Sequence, residues 1–137
     1  VNTELHRTKF TISVDYKNGT TTGTSAFDRA ATIRALANNK YKAKDFSKPG
    51  HIFPLRYSEG GIFEREGHTE ASVDLAKLAG MYPAAVICEI LNEDGTMAKL
   101  PGLSEFSKKH SIKMITIKDL KEYIKLNQNI VKQEIEV

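Results

Sequence analysis

The densest group of chemically reactive side chains lies between positions 65 and 70. The run Arg65-Glu66-Gly67-His68-Thr69-Glu70 places a guanidinium, an imidazole, a hydroxyl and two carboxylates around one glycine, just before a predicted helix. Because the unpaired N–H groups and the dipole of a helix converge at its start, an anion could rest there against Arg65 and Thr69. His68 could ligate a metal, although one imidazole needs further ligands from elsewhere. An ordinary solvated helix start explains the run about equally well.

Two other positions carry acid–base candidates. His51 follows a Pro-Gly turn and could move protons, although a lone histidine more often only forms hydrogen bonds. Glu89 interrupts an apolar run, and burial there would raise the pKa of its carboxyl group toward the range used in acid–base catalysis. A solvent-facing position in an alternating strand is the other interpretation of Glu89, but its apolar neighbours favour a functional one. The adjacent Cys88 is interpreted as a core residue.

A third candidate is the hydroxyl-rich loop at residues 20–25, which leads into Asp28. Hydroxyls and backbone N–H groups at a helix start can hold an anion. A turn followed by a helix N-cap explains the same loop and is the favoured interpretation. All five arginines lie within residues 1–70, so a small anionic ligand is more plausible in this half of the chain.

The elements that would position these residues mix strands with helices. Alternation or a continuous apolar run predicts strands over 10–16, 51–56, 83–91 and 112–117, and residues 83–91 have the composition of a strand buried on both faces. Helical spacing and end signals predict helices over 25–37, from the run at 67–70 to Gly80, and over 101–110 and 118–126. Residues 38–50 are predicted to form a loop. This order favours an α+β fold, in which helices cover a mixed β-sheet, and a single domain over 1–137.

Composition excludes several classes of protein. The chain has 137 residues, of which 40% are hydrophobic and 27% charged, as in ordinary globular domains. Its longest apolar runs are far shorter than the ~20 residues of a membrane span. One cysteine excludes an intramolecular disulfide framework and a cysteine-based zinc cluster. A net charge of +3 is too small to indicate nucleic-acid binding. The chain begins with Val1 and shows no targeting segment, from which we expect processing, trimming or a fragment.

Four motifs, taken in order, closely resemble the 3,4-dihydroxy-2-butanone-4-phosphate synthase family of riboflavin biosynthesis. They are GTTTGTSAFDR at 19–29, PGHIFPLR at 49–56, GHTEA at 67–71 and CEILNEDGTMA at 88–98. Together they cover nearly the whole chain. The resemblance implies a cytoplasmic homodimeric lyase that converts D-ribulose 5-phosphate to L-3,4-dihydroxy-2-butanone 4-phosphate and formate, with Mg²⁺ or Mn²⁺ as cofactor and no nucleic-acid or membrane partner.

Carried over by motif, the resemblance also implies roles for single residues. His51 and Glu89 match the family's two catalytic positions, and His68 matches a metal ligand. Substrate-binding positions match Arg65, Glu66, Gly67, His68, Thr69 and Glu89. In this chemistry a metal bound across the substrate's carbonyl and hydroxyl oxygens would acidify the neighbouring C–H and stabilise the enediolate. Acid–base groups would then move protons through dehydration, rearrangement and loss of one carbon.

The sequence departs from the family pattern in two places. Glu66 stands where members usually have glycine or alanine, and we expect it to point outward. The acidic N-terminal segment that supplies a carboxylate metal ligand in family members has no counterpart here, so the metal would keep one protein ligand from this chain. The tail at 128–137 resembles the start of the linker that joins some members to a GTP cyclohydrolase II domain.

Three functions of different class therefore stay open. The first is the lyase, completed by the acidic segment. The second is a catalytically incomplete module that binds phosphate or assists assembly. The third is a weak nucleic-acid binder, which only the small positive charge favours.

Overall fold

The computed structural model describes the backbone of residues 3–135 and the side chains of residues 3–127. Four helices and two strands form within it, which confirms the predicted α+β class. The strands are β1 (Val14–Tyr16) and β2 (Phe46–Ile52), and the helices are α1 (Ala26–Leu36), α2 (His68–Leu78), α3 (Leu100–His110) and α4 (Ile117–Ile135). Short 3₁₀ turns occupy Ala43–Asp45 and Gly61–Phe63. None of the described helices is long and apolar enough to cross a membrane.

The two strands pair antiparallel and pack against α1. Tyr16 pairs with Phe46 and Val14 with Ile52, with an irregularity between Val14 and Asp15. The predicted strand at 10–16 is therefore shorter than expected. The predicted loop at 38–50 is wrong from Phe46 onward, because β2 begins there and continues through the cis Lys48–Pro49 bond. Pro-Gly is a turn signal in most contexts, but here the irregular pairing accommodates it within a strand.

Two small hydrophobic cores form among the described residues. Val14, Ala35 and Phe46 make the first, beneath α1. The second joins α2 to α4 and consists of Ile62, Ala71, Leu120 and Ile124. The predicted helices are confirmed, including the Ser25 N-cap, whose hydroxyl accepts a hydrogen bond from the Asp28 N–H at 3.0 Å. The backbone of α4 continues to Ile135, so most of the tail expected to begin a linker is helical; residues 136 and 137 lie outside the described residues.

The predicted strands at 83–91 and 112–117 are wrong. Residues 83–90 and 112–116 have no regular secondary structure, and their apolar side chains face solvent, with Val86 64% and Ile115 56% exposed. Leu91 forms one isolated bridge to Met97 around the turn at 92–95. A strand buried on both faces needs neighbouring strands and two covering layers. The described part of the chain provides neither, so the apolar pattern has nothing to pair with. Cys88, predicted to be a core residue, is also exposed.

Candidate active site

His51 lies near the end of β2, where strand pairing brings it next to Asp15 of β1. The Asp15 carboxylate contacts His51 twice: Oδ2 lies 2.7 Å from the ring Nδ1, and Oδ1 accepts a hydrogen bond from the His51 backbone N–H at 2.9 Å. The other ring nitrogen, Nε2, lies 3.2 Å from Oγ1 of Thr24. The Asp15 side chain is 15% exposed and that of His51 is 46% exposed. We call Asp15, His51 and Thr24 the histidine cluster. Its Asp15 end is mostly covered, and its Thr24 end is exposed to solvent.

Two glycines allow three chain segments to approach each other at the histidine cluster. Gly23 has φ +86°, and a Cβ atom there would lie 2.2 Å from Asp15 Oδ2 and 2.8 Å from His51 Nδ1. A Cβ atom at Gly50 would lie 2.1 Å from the backbone carbon of Val14. Real Cβ atoms do not approach other atoms so closely, so both positions need glycine for steric reasons, and Gly23 also for its left-handed backbone.

Asp28 holds the loop that carries Thr24. Its carboxylate is buried and accepts hydrogen bonds from the Thr21 hydroxyl at 2.8 Å, the Thr21 N–H at 3.2 Å and the Gly23 N–H at 3.0 Å. These bonds, the Thr21 hydroxyl foremost, lower the pKa of Asp28 below its ordinary value. Three of the loop donors that could have held an anion are therefore already occupied by a carboxylate. The predicted turn and the Ser25 N-cap are both present in this loop.

The run at 65–70 forms a second polar group, built around a buried ion pair. Arg65 Nη1 lies 2.6 Å from Glu70 Oε2, and the Glu70 side chain is 1% exposed. Arg65 Nη2 donates to the Thr8 hydroxyl at 3.0 Å and to the His6 carbonyl at 3.1 Å. A Cβ atom at Gly67 would lie 2.1 Å from Arg65 Nη1, so this glycine makes room for the pair. The guanidinium thus anchors the chain around residues 6–8, and its hydrogen bonds within the described part of the chain use three of its five N–H donors.

The remaining predicted residues of this run lie at the surface. His68 is the first residue of α2 and is exposed, whereas Thr69 is half-buried. Glu66 is exposed and forms an ion pair with Lys121 of α4, which confirms the expectation that it points outward. Lys121 also holds the pKa of the Glu66 carboxyl below its ordinary value. This arrangement leaves the His68 imidazole accessible, while the neighbouring Glu66 is already neutralised.

Glu89 does not lie in the buried, apolar environment that was predicted for it. Glu89 lies in the extended segment at 83–90 and is exposed, so the predicted burial is absent. Within the described residues, no hydrogen bond or ion pair joins Glu89, His51 and the start of α2. The structure therefore brings His51 together with Asp15, which was not predicted, and with Thr24 of the candidate loop at 20–25. His51, Glu89 and the start of α2 remain three separate groups.

The described residues do not by themselves form a metal site. Among them there is no group of three or more histidine, cysteine, aspartate or glutamate side chains placed to hold an ion. Hard divalent cations prefer oxygen ligands, and Mg²⁺ usually takes one or two carboxylates together with several waters. His68 alone supplies one nitrogen, and the nearby carboxylate of Glu70 is occupied by Arg65.

Asp15 is the polar residue of these groups that the sequence did not mark as a candidate. Asp15 is one polar position of an alternating strand, and nothing local distinguishes it from Thr11 or Ser13. Its role depends on a pairing between residues 36 positions apart. The glycines at 23 and 50 were a usable signal, because glycine within a strand or beside it often marks a close approach of another backbone.

The histidine cluster and the helix start at 65–70 hold the residue types that acid–base chemistry on a small anionic molecule would use. A family model described as 3,4-dihydroxy-2-butanone 4-phosphate synthase matches residues 1–123. The chain therefore belongs to the 3,4-dihydroxy-2-butanone 4-phosphate synthase family, as the four motifs predicted.

Curated relatives and solved structures agree with this membership. The chain is 53% identical over 135 residues to a riboflavin biosynthesis protein RibBA of Endomicrobium trichonymphae, and 56% identical over 136 residues to one of Bacillus mycoides (strain KBAB4). It covers 34% of each of these proteins, and they cover 98% and 99% of this chain. The chain thus spans about a third of the length of the curated relatives it matches.

Two solved structures have the same fold. A 3,4-dihydroxy-2-butanone 4-phosphate synthase of Candida albicans superposes with a TM-score of 0.84 at 54% identity, covering 88% of this chain and 62% of that one. Another synthase of this name, solved in complex with two magnesium ions, gives a TM-score of 0.82 at 34% identity, covering 93% of this chain and 65% of that one. Both solved chains are longer than the part that this chain matches.

Proposed function

We propose that this chain carries part of an active site that converts D-ribulose 5-phosphate to L-3,4-dihydroxy-2-butanone 4-phosphate and formate in riboflavin biosynthesis. The observation that carries the proposal is the histidine cluster: the Asp15 carboxylate contacts one ring nitrogen of the motif residue His51, and the other ring nitrogen lies 3.2 Å from the hydroxyl of the exposed Thr24. Family membership and the RibBA relatives support the same activity. The two products together contain all atoms of the substrate, so this lyase reaction needs no oxidant or second substrate.

His51 is proposed as an acid–base residue of the reaction. Enolisation removes a proton from the carbon beside the substrate's carbonyl group, and the later dehydration and rearrangement need protons delivered and removed again. An imidazole whose ordinary pKa is about 6.5 can do both near neutral pH. Glu89 is proposed as the second acid–base group on the strength of its motif position, since its exposed location leaves it free to meet a substrate.

The start of α2 is proposed to bind the substrate phosphate. Arg65 keeps unused N–H donors, Gly67 leaves space beside it, and Thr69 lies within the first turn, where backbone N–H groups are unpaired. Glu66 and His68 flank this position. Because Glu66 is paired with Lys121, its charge opposes a phosphate less than a free carboxylate would.

His68 is proposed as one ligand of a divalent cation, Mg²⁺ or Mn²⁺. A related synthase was solved with two magnesium ions, which supports a metal requirement. The described residues do not complete the coordination, so the remaining ligands must come from outside them. We further propose that the protein works as a cytoplasmic homodimer without nucleic-acid or membrane partners, as the family resemblance implies.

The proposal is tested by measuring formate release from D-ribulose 5-phosphate in the presence of Mg²⁺. We expect release that falls strongly in the His51→Asn and Glu89→Gln variants, with the exposed Glu93→Gln as a matched control that leaves it unchanged. Isothermal titration with the same sugar phosphate, with and without Mg²⁺, gives a second readout. Heat that depends on the metal and disappears in His68→Ala supports the ligand role.

One result distinguishes the proposed activity from the main alternative, an incomplete module that binds phosphate. Binding of the sugar phosphate without any formate would make the chain an incomplete phosphate-binding module. If neither binding nor formate release is observed, the proposed activity is overturned.

A further inference from the structure

We propose that Lys121 of α4 is a further substrate-binding residue: its ammonium group donates to the substrate phosphate at the start of α2 and favours phosphorylated sugars over unphosphorylated ones. The inference rests on the proposed function, because it adds a residue to the phosphate site proposed there. Lys121 lies 55 positions along the chain from Glu66, the residue with which it is paired.

The first step is the place that Lys121 reaches. α4 packs against α2 through a shared hydrophobic core that includes the buried Leu120. Lys121 directly follows Leu120, and its Nζ forms an ion pair with the carboxylate of Glu66. Glu66 stands between Arg65 and Gly67, the N-cap of α2. The core therefore holds the ammonium group of Lys121 within one side-chain length of this helix start.

The second step is the number of donors that Lys121 has available. A lysine ammonium group has three N–H donors and no acceptor. Among the described residues, its hydrogen bond goes to Oε1 of Glu66, which leaves two donors for a ligand. The Glu66 side chain is 63% exposed, and an ion pair at the surface contributes little to stability. Lys121 can therefore share its donors with an arriving anion at small cost.

The third step is the support of the Lys121 side chain. Its Nζ lies 5.6 Å from the centre of the Phe63 ring, and the side chain is only 26% exposed. A cation within about 6 Å of an aromatic ring is attracted to the face of that ring. The side chain is thus partly held in place before any ligand arrives, which reduces the conformational freedom that binding must remove.

The fourth step is the charge beside the helix start. The charges of Arg65 and Glu70 cancel within their buried pair. Lys121 foremost, and Lys125 after it, lower the pKa of the Glu66 carboxyl group, so two ammonium groups act on this single carboxylate. A phosphate monoester carries a charge of about −1.5 to −2 at pH 7 and three acceptor oxygens, more than a carboxylate offers. A phosphate is therefore the acceptor that these cations favour.

The deciding experiment measures the affinity for D-ribulose 5-phosphate in the presence of Mg²⁺, from the shifts of the backbone amide NMR signals of residues 66–70. Four proteins form a cycle: wild type, Lys121→Met, Glu66→Gln and the double variant. We expect Lys121→Met to weaken binding about 10-fold, the effect of one charge-assisted hydrogen bond. The double variant should bind at least about 3-fold more weakly than Glu66→Gln, because a direct contact survives the removal of Glu66.

Three controls make the result specific. Lys108→Met removes the same charge from an exposed position of α3 and should leave the affinity unchanged. Lys121→Arg keeps a cation and should bind nearly as well as wild type. D-Ribulose, the same sugar without the phosphate, should bind to wild type and Lys121→Met equally weakly. If Lys121→Met does not fold, Lys121→Gln takes its place in the cycle.

Three results would overturn the proposal. They are no shift at 66–70 on adding the sugar phosphate to wild type, an unchanged affinity in Lys121→Met, and a double variant that binds as tightly as Glu66→Gln. In the last case Lys121 only neutralises Glu66.

Formate release is measured separately, and Lys121→Met should raise its KM with kcat unchanged. Binding that depends on Lys121 but yields no formate supports this inference and contradicts the proposed activity. Formate release with a wild-type KM in Lys121→Met supports the activity and overturns the inference.

Discussion

Residues 13–78, the loop region, bury several polar groups, whereas residues 83–90 and 112–116, together the extended region, expose apolar ones. In the loop region, three carboxylates are buried and paired: Asp28 with the loop at 20–25, Glu70 with Arg65, and Asp74 with the Tyr57 hydroxyl and the Ile62 N–H. Among the described residues no buried side-chain nitrogen or oxygen lacks a hydrogen-bond partner. In the extended region, apolar side chains such as those of Val86, Ile87 and Met114 are exposed.

The difference shows what kind of contact a short chain can complete alone. A loop around a carboxylate needs donors from a few neighbouring residues, and the Asp28 and Glu70 groups find most of theirs within 12 positions along the chain. A strand buried on both faces needs backbone partners and covering layers from distant segments. The loop region therefore folds around its own polar groups, while the extended region keeps the composition of a sheet interior without the sheet.

The largest expected effect on stability comes from removing the buried ion pair of the loop region. Arg65→Ala leaves the fully covered Glu70 carboxylate without its cation, which for buried pairs costs about 3–5 kcal/mol. We expect a loss of this size in the free energy of unfolding, measured by urea denaturation at pH 7. Arg34→Ala, the same change at an exposed position of α1, is the control and should alter stability little. Equal losses in the two variants would show that the pair does not anchor the region.

The second prediction sharpens the comparison through backbone hydrogen exchange. Amides in the interior of α1, at residues 30–36, form helical hydrogen bonds, whereas the N–H groups of residues 85–89 have no acceptor among the described residues. We expect exchange at 85–89 to be at least about 100-fold faster than at 30–36, because local opening costs nothing where no bond is broken. Amide exchange followed by NMR measures this directly. Strong protection at 85–89 would mean that these residues pair in solution.

The third prediction separates backbone conformation from close contact at the histidine cluster. Gly19 and Gly23 both have positive φ, +77° and +86°, but a Cβ atom meets nothing within 4 Å at Gly19. Gly19→Ala should therefore cost about 1–2 kcal/mol, the price of the left-handed backbone alone. Gly23→Ala should cost a further ~1–3 kcal/mol, because the added methyl overlaps Asp15 and His51. Thermal unfolding of the two variants gives the comparison, and equal losses would contradict the close approach.

The smallest expected effect concerns the stability of the protein at acidic pH. The pKa of Asp28 is lowered in the folded protein, so its ionised form favours folding above the ordinary value of about 4. This contribution is lost as the pH falls through the lowered folded-state pKa. We expect Asp28→Asn to be less stable than wild type at pH 7, and the difference to shrink below about pH 4. Urea denaturation at pH 7 and pH 3 measures it, and a difference that grows in acid would reverse the sign.

Local patterns predicted the helices well, because their signals lie within a few residues. Ser25 caps α1 as expected, and Gly80 follows the end of α2 with φ +66°. The strands were predicted poorly for the opposite reason, since β-structure depends on partners that lie far away along the chain. The run at 83–91 has the right residues for a buried strand, yet residues 83–90 form none.

The same division holds for the candidate site. The sequence marked His51 through its motif and its Pro-Gly turn, and the comparisons confirmed the family to which those motifs belong. It also marked the helix start at 65–70. It did not show that Arg65 is occupied by Glu70, because Glu70 becomes buried only when α2 packs beneath the chain at residues 6–8 and Ser58.

The sequence by itself determined the family, the positions of the helices, and the residues whose chemistry suits acid–base and anion-binding roles. These depend on residue types and short spacings. Only the tertiary structure decided which of those residues meet: the pairing of β1 with β2 sets Asp15 beside His51 across 36 positions, and Gly23 and Gly50 let the backbones come close enough. The physical reason is that a contact between distant residues depends on the geometry of everything between them, which no local pattern records.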